Sequence, residues 1–129
     1  MALVLVVEDD QDLGTLLCAK LSSAGFETKH VPDATLAISQ AYRLKPDVII
    51  LDLGLPGGGG LFVLENLTKS VHTNHIPIIV TTGLKDTPLQ EKVLTLGVKA
   101  YVEKPYDLQQ LVETVRGFLR LDRENMPGQ

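Results

Sequence analysis

Short apolar runs alternate with longer amphipathic segments along this chain. Runs of this kind, apolar on both faces and rich in β-branched residues, are typical of strands buried on both sides of a parallel sheet. The apolar runs are Leu3–Val7, Val48–Leu51, Ile78–Val80 and the shorter Tyr101–Val102. A fifth segment, Phe26–Val31, alternates between apolar and polar residues. We therefore expect it to form a strand at the edge of the sheet.

Between these runs, apolar residues recur at the three- and four-residue spacing of an amphipathic helix. The stripes are Leu13, Leu16, Leu17 and Leu21; Ala37, Ala41 and Leu44; Leu61, Leu64 and Val71; and Leu108, Leu111, Val112, Val115 and Leu119. Gly25 and Gly97 stand where helix C-termini favour a left-handed residue. Thr87-Pro88-Leu89-Gln90 predicts a helix start capped by Thr87, and Asp107 with Gln110 predicts another.

The resulting order of elements is βαβαβαβαβα. Strands that alternate with helices imply right-handed crossovers and a parallel sheet covered on both faces. With five strands we expect an α/β, flavodoxin-like, doubly wound sheet in the order 2-1-3-4-5. Ligands of such sheets bind beyond the carboxyl ends of the strands, where the strand order reverses.

Composition limits the class of protein. With 129 residues, 44% hydrophobic and 22% charged, the chain suits one globular domain and not a disordered or disulfide-stapled one. Cys18 is the one cysteine, so no internal disulfide can form, and we expect a cytoplasmic location. The formal charge of −4 includes no basic stripe, and no apolar run approaches the roughly 20 residues that span a bilayer. We expect no direct nucleic-acid binding by this domain and no membrane contact.

Polar residues follow the predicted strands at one edge of the sheet. Counting the five predicted strands along the chain, Glu8-Asp9-Asp10 follow the first strand, Asp52 the third, Thr82 the fourth and Lys104 the fifth. Clustered carboxylates repel one another and call for a cation, and Mg²⁺ prefers oxygen ligands. A lysine and a hydroxyl facing that ion match the needs of a transferred phosphoryl group, and an aspartate can serve as its nucleophile.

Glu8-Asp9, Asp52, Thr82 and Lys104-Pro105 resemble the signature of the response-regulator receiver domain (CheY-like) of two-component signalling. The resemblance runs from about Leu3 to about Leu121. It implies that residues 1–121 form the receiver domain, with 122–129 as a C-terminal tail or the start of a linker. The implied function is that of a signalling receiver and not an enzyme, although the receiver catalyses its own phosphorylation and dephosphorylation at Asp52.

The family implies a role for each residue of the site. Asp52 would be the phosphoacceptor, charged by a histidine kinase or a histidine phosphotransfer protein. The implied ligands of Mg²⁺ are the carboxylates of Asp9 and Asp52, Glu8 through a water molecule, and the main-chain carbonyl of Gly54. Lys104 would pair with the phosphoryl oxygens, and its peptide bond to Pro105 would be cis.

The family also implies a switch. Thr82 would move its hydroxyl onto the phosphoryl group, and Tyr101 would be the aromatic residue that turns inward as it does so. The surface formed by the fourth helix, fifth strand and fifth helix would then change. The resemblance leaves phosphorylation-dependent homodimerisation open.

Two features depart from the family pattern. The run Gly57–Gly60 predicts a mobile loop at the entrance to the third helix, because ordering glycine costs conformational entropy. Gly54 and Leu84 occupy the two positions that tune loss of the phosphoryl group in the family. We hypothesise that Gly54 leaves the approach of water open, while Leu84 supplies no polar group to orient it.

Several of these residues could instead have a purely structural role. Asp10 and Asp12 suit a helix start, Thr82 could be a plain strand residue, and Tyr101 could be core. His72 and His75 have metal-like spacing but precede the fourth strand, so we expect surface residues.

Alternative functions fit the sequence less well. A degenerate receiver that only binds a partner would normally lack an acid, the phosphoacceptor or the lysine. A haloacid-dehalogenase-like phosphatase needs an aspartate where Gly54 stands. Acids after the first strand would repel the pyrophosphate of a dinucleotide, and Gly57–Gly60 lacks the Lys-Ser/Thr of a P-loop.

Overall fold

The computed structural model describes residues 1–124, which form a parallel sheet between two layers of helices. The strands are β1 (Leu3–Val7), β2 (Glu27–Val31), β3 (Val48–Asp52), β4 (Ile78–Thr82) and β5 (Ala100–Glu103). The helices are α1 (Gln11–Ser23), α2 (Ala34–Leu44), α3 (Gly59–Lys69), α4 (Thr87–Thr95) and α5 (Leu108–Glu124), with a 3₁₀ turn at Pro56–Gly58. The strand order is β2-β1-β3-β4-β5, and every pairing is parallel. The predicted flavodoxin-like fold is confirmed, with β2 at an edge.

Alternation along the strands separates two apolar cores. Leu5, Ile49 and Val80 belong to the core on one face of the sheet, together with buried residues of α2, α3 and α4. Val6 and Ile50 belong to the core on the other face, with buried residues of α1 and α5. Side chains of a strand point alternately to its two faces, so a wholly apolar run supplies both cores.

Helix ends follow the predicted chemistry at several places. The Asp10 side chain accepts a hydrogen bond from the Leu13 amide at 3.1 Å and so caps α1. Asp107 accepts one from the Gln110 amide at 3.0 Å. Gly25 and Gly97 have φ of 97° and 83°, which glycine adopts without the steric cost other residues meet. Within the described part of the chain, no helix is long and apolar enough to cross a membrane.

Two predictions at helix ends are wrong by small shifts. The cap of α4 is Asp86, whose carboxylate accepts from the Leu89 amide at 3.0 Å, and Thr87 is already the first helical residue. An aspartate one position earlier offers the stronger acceptor. Val71 does not belong to the stripe of α3, because that helix ends at Lys69 and Val71 is 79% exposed in the turn beyond it.

The buried stripe of α1 is narrower than the sequence pattern predicts. Leu17 and Leu21 are buried, whereas Leu16 is 57% exposed. Helix α1 turns only one side of its apolar stripe toward the sheet, and Leu16 lies beyond that side.

The glycine run is not the loop that its composition predicts. Gly57 and Gly58 have positive φ and lead directly into α3, whose first turn contains Gly59 and Gly60. A Cβ on Gly60 would lie 2.5 Å from the carbonyl oxygen of Asp52 and 2.5 Å from the Cα of Leu53. Glycine at position 60 therefore lets the start of α3 approach the end of β3.

Candidate functional site

Three carboxylates meet where β1 and β3 end. These strands are neighbours, with Val7 paired to Leu51, so the residues that follow β1 lie beside Asp52. One carboxylate oxygen each from Glu8, Asp9 and Asp52 lies within 4.8 Å of the other two. Glu8 and Asp52 are 3% and 4% exposed, whereas Asp9 is exposed. The arrangement is a half-buried acidic cluster whose open side is formed by Asp9.

Lys104 connects the two buried carboxylates. Its ammonium donates to Glu8 Oε1 at 2.8 Å and to Asp52 Oδ2 at 3.2 Å. The main chain of Lys104 is held by a 2.8 Å hydrogen bond from its amide to the Thr82 carbonyl, and its peptide bond to Pro105 is cis. Burial opposes the charge on Lys104, but its hydrogen bond to the Glu8 carboxylate and the negative charge of Asp52 outweigh this effect and raise the lysine pKa.

The buried carboxyl group of Glu8 has an unusual electrostatic environment. Burial raises its pKa, the nearby Asp52 adds to that effect, and hydrogen bonds from Lys104 and the Asp10 amide work against it. Three carboxylates facing one ammonium carry excess negative charge, which a divalent cation would balance. Because every donor is an oxygen, the residues fit Mg²⁺.

The backbone beyond β3 curls back onto Asp52. The Gly54 amide donates to Asp52 Oδ1 at 2.8 Å, so both oxygens of this carboxylate have a partner. A Cβ on Gly54 would lie 3.2 Å from the same oxygen. The role of the Gly54 carbonyl as a metal ligand stays a prediction.

Thr82 and Tyr101 lie next to the cluster but do not belong to it. Thr82 is fully buried at the end of β4, and its hydroxyl accepts from the Leu84 amide at 2.9 Å. Tyr101 is half-buried on β5 against the core that faces α4. Burial raises the pKa of the Tyr101 phenol, and the nearby Thr82 hydroxyl lowers it in part. Among the described residues, no hydrogen bond joins Thr82 or Tyr101 to Asp52.

Two residues that the sequence analysis did not single out also surround the site. Tyr106 lies two residues after Lys104. Burial, together with the negative charge of Glu8, raises the pKa of the Tyr106 phenol to about 12. His30 on β2 places its ring Nε2 2.8 Å from the main-chain oxygen of Glu8. His30 and Glu8 are 22 residues apart, so only the pairing of β1 with β2 brings them together.

The polar residues predicted to bind phosphoryl or metal are thus brought to one edge of the sheet, as the strand order requires. His72 and His75 are exposed in the turns before β4, at the opposite end, as expected for surface residues.

The chain belongs to the response regulator receiver domain family, whose model matches residues 4–116. Among its relatives is the transcriptional activator protein IrlR of Burkholderia pseudomallei, 39% identical over 117 residues. Another is the phosphate regulon transcriptional regulatory protein PhoB of Escherichia coli, 30% identical over 117 residues. Each match covers 91% of this chain but only about half of the relative.

Solved structures agree on the fold. A signal receiver domain from Vibrio parahaemolyticus superposes with a TM-score of 0.83 at 29% identity, covering 95% of this chain and 92% of the other. A CheY-like receiver domain protein from Methanospirillum hungatei gives a TM-score of 0.90 at 21% identity, covering 98% and 99%. The resemblance to receiver domains that the sequence suggested is confirmed.

Proposed function

We propose that Asp52 accepts a phosphoryl group from a phosphohistidine on a histidine kinase or a histidine phosphotransfer protein, in a reaction that requires Mg²⁺. The observation that carries this proposal is the position of Asp52, buried between the Lys104 ammonium and the carboxylates of Glu8 and Asp9. A nucleophilic carboxylate beside both a fixed cation and a metal-type acidic cluster suits attack on a negatively charged phosphoryl group.

In the transfer step, a carboxylate oxygen of Asp52 bonds to phosphorus as the phosphorus–nitrogen bond of the donor breaks. The leaving imidazole nitrogen keeps the bonding electrons and takes up a proton. The Lys104 ammonium stays within reach of the Asp52 carboxylate oxygens and of the equatorial phosphoryl oxygens, and it neutralises the negative charge of the latter. Mg²⁺, held by Asp9 and Asp52, by Glu8 through water and by the Gly54 carbonyl, would supply the remaining charge neutralisation. Later attack of water on phosphorus returns the carboxylate and releases phosphate.

The switch follows from the partner of the Thr82 hydroxyl. In the structure that hydroxyl accepts from the Leu84 amide, and on phosphorylation it would donate its own proton to a phosphoryl oxygen. The new group brings nearly two negative charges and three acceptor oxygens. Its capture by Thr82 draws the chain after β4 toward Asp52 and opens space for the Tyr101 ring. The surface formed by α4, β5 and α5 then changes shape, and phosphorylation-dependent pairing of two copies would use that surface.

The chain spans about half the length of the relatives it matches. How the phosphorylated receiver passes the signal on is therefore also part of the proposal. We assign residues 1–121 to the receiver and residues 122–129, of which 122–124 continue α5, to a tail or the start of a linker to an effector. The receiver works in the cytoplasm, where its donor kinase presents the phosphohistidine. A binding-only, degenerate receiver is not favoured, because the acids, the phosphoacceptor position and the lysine are all present.

Incubation of the chain with acetyl phosphate and Mg²⁺, followed by intact-protein mass spectrometry, tests the proposal. We expect one phosphoryl group per chain, and none when the metal is removed by a chelator. A chain that takes up no phosphoryl group would support the binding-only alternative, and sustained hydrolysis of a phosphomonoester such as p-nitrophenyl phosphate would indicate a phosphatase. Either result contradicts the proposal.

A further inference from the structure

Both backbone polar groups of Glu8 form hydrogen bonds with residues of β2. The Glu8 amide donates to the Val31 carbonyl at 3.1 Å, which continues the pairing of β1 with β2. The Glu8 carbonyl lies 2.8 Å from Nε2 of the His30 ring. A carbonyl oxygen only accepts, so the ring nitrogen carries the proton and donates. Two consecutive residues of β2, His30 and Val31, therefore hold the carbonyl and the amide of Glu8, the first residue after β1.

The His30 ring has a place prepared for it in α1. A Cβ on Gly14 would lie 2.2 Å from Cε1 and 2.3 Å from Nε2 of the imidazole. Any residue other than glycine at position 14 would therefore displace the ring. Gly14 is buried near the start of α1, with its amide bonded to the Asp10 carbonyl, and glycine is the least favourable helical residue after proline. Glycine at position 14 is unfavourable for the helix, but it makes room for the ring of His30.

This contact acts on the site through the backbone. The Glu8 carbonyl begins the peptide that leads to Asp9, whose carboxylate belongs to the acidic cluster but is exposed. Glu8 itself is restrained by Lys104 and by the Asp10 amide. Rotation of the peptide between residues 8 and 9 would turn the Asp9 side chain away from Asp52, and the hydrogen bond from His30 resists that rotation.

We infer that His30, seated on Gly14, is a positioning residue for the metal site: it holds the Glu8 carbonyl so that Asp9 stays in reach of the cation bound with Asp52. This inference rests on the proposed function, since it assigns His30 a part in binding the same Mg²⁺. It adds a residue from the edge strand β2 to a site otherwise built from the ends of β1, β3 and β5. Hydrogen-bonding partners behind metal ligands commonly set affinity in this manner.

The test compares two variants of similar size, His30→Leu and His30→Gln. Leucine fills the space above Gly14 without a donor, whereas the glutamine amide places a donor near the position of Nε2. The chain has no tryptophan, so Mg²⁺ binding is followed by amide shifts in ¹H–¹⁵N NMR titrations with magnesium chloride. We expect His30→Leu to bind Mg²⁺ about tenfold more weakly than the parent, and His30→Gln to stay close to the parent.

Two more variants keep the test decisive if His30→Leu does not fold. His30→Asn leaves the space above Gly14 open, but its amide is too short to reach the carbonyl, so it should lose affinity as leucine does. Gly14→Ala displaces the ring while keeping the histidine, and should weaken Mg²⁺ binding by a similar factor.

The outcomes separate this inference from the function on which it rests. Unchanged affinity in His30→Leu, His30→Asn or Gly14→Ala would overturn the inference while leaving the proposed function standing. Equal losses in His30→Leu and His30→Gln would also overturn it, since ring packing and not the hydrogen bond would then matter. A parent chain that binds no Mg²⁺ would contradict the proposed function and this inference together.

Discussion

The ammonium of Lys104 lies 3.2 Å from Oδ2 of Asp52, although their strands are separated by β4. The same ammonium reaches Glu8 at 2.8 Å, so one cation from the end of β5 spans the sheet edge to β3 and β1. This relationship joins the two buried acids of the cluster and leaves a positive charge where the phosphoryl oxygens would arrive.

Replacing Lys104 by alanine should damage both stability and phosphorylation. Glu8 and Asp52 would remain buried without their shared donor, which costs about 1–3 kcal/mol in the free energy of unfolding. Loss of a preorganised donor to the phosphoryl oxygens should slow uptake from acetyl phosphate by about 100-fold or more. Urea denaturation and a phosphorylation time course measure the two effects. Lys99→Ala, which changes an exposed lysine, is the matched control, and equal behaviour of the two variants would contradict the assignment.

Glu8 should make the metal-free chain less stable as pH rises. Its pKa is raised in the folded state, so the native protein holds this proton more tightly than the unfolded chain. The stability that Glu8 contributes is therefore present below its ordinary pKa of 4.5 and is lost as pH rises through the folded value. Glu8→Gln should gain stability relative to the parent between pH 4.5 and neutrality. Thermal denaturation in a chelator at several pH values measures this, and a pH-independent difference would be the contrary result.

Gly60 should tolerate no side chain. The added Cβ would meet the backbone of Asp52 and Leu53 at 2.5 Å, and backbone cannot move aside cheaply. We expect Gly60→Ala to lower the free energy of unfolding by about 1–3 kcal/mol, as overpacking does. Gly117→Ala makes the same change on α5 with open space around the new Cβ. It should instead stabilise the chain, by up to about 1 kcal/mol. Similar effects of the two substitutions in urea denaturation would refute the close approach.

Gly54 and Leu84 should set the lifetime of the phosphoryl group. A side chain on Gly54 begins 3.2 Å from Asp52 Oδ1, so Gly54→Asn should crowd the path of the attacking water and slow dephosphorylation. Leu84→Glu should speed it by supplying a carboxylate that orients this water. Release of phosphate from the phosphorylated chain gives both rates, with Leu94→Glu, also an exposed leucine, as control. If neither variant differs from the parent, the hypothesis fails.

The fold and most of the site were predictable because they depend on local patterns. Wholly apolar runs identified β1, β3 and β4, and the strand order then placed Glu8, Asp52 and Lys104 at one edge. The features that the sequence did not predict depend on close contacts between different elements of the fold. Gly60 looked like part of a loop because its contact is with the backbone of β3. His30 looked like an ordinary residue of an edge strand because its partners, Gly14 and the Glu8 carbonyl, come from α1 and the end of β1.

The two wrong predictions at helix ends, the cap of α4 and the end of α3, also have a physical origin. Thr87 and Asp86 are both good caps, and their order in the chain does not say which carboxylate or hydroxyl will meet the free amides of α4. Val71 continues the spacing of α3, but spacing does not reveal that the helix ends at Lys69.

The central claim is that Asp52 is the residue that takes up the phosphoryl group. The most direct measurement is phosphorylation by acetyl phosphate with Mg²⁺ of the parent, Asp52→Asn and Asp12→Asn, read by intact mass and peptide mapping. Asp12 is an exposed acid of the same region outside the cluster, so its variant makes the same change of charge. We predict one phosphoryl group, mapped to Asp52, in the parent and in Asp12→Asn, and none in Asp52→Asn. Normal uptake by Asp52→Asn, or a label mapped to another residue, would contradict the account.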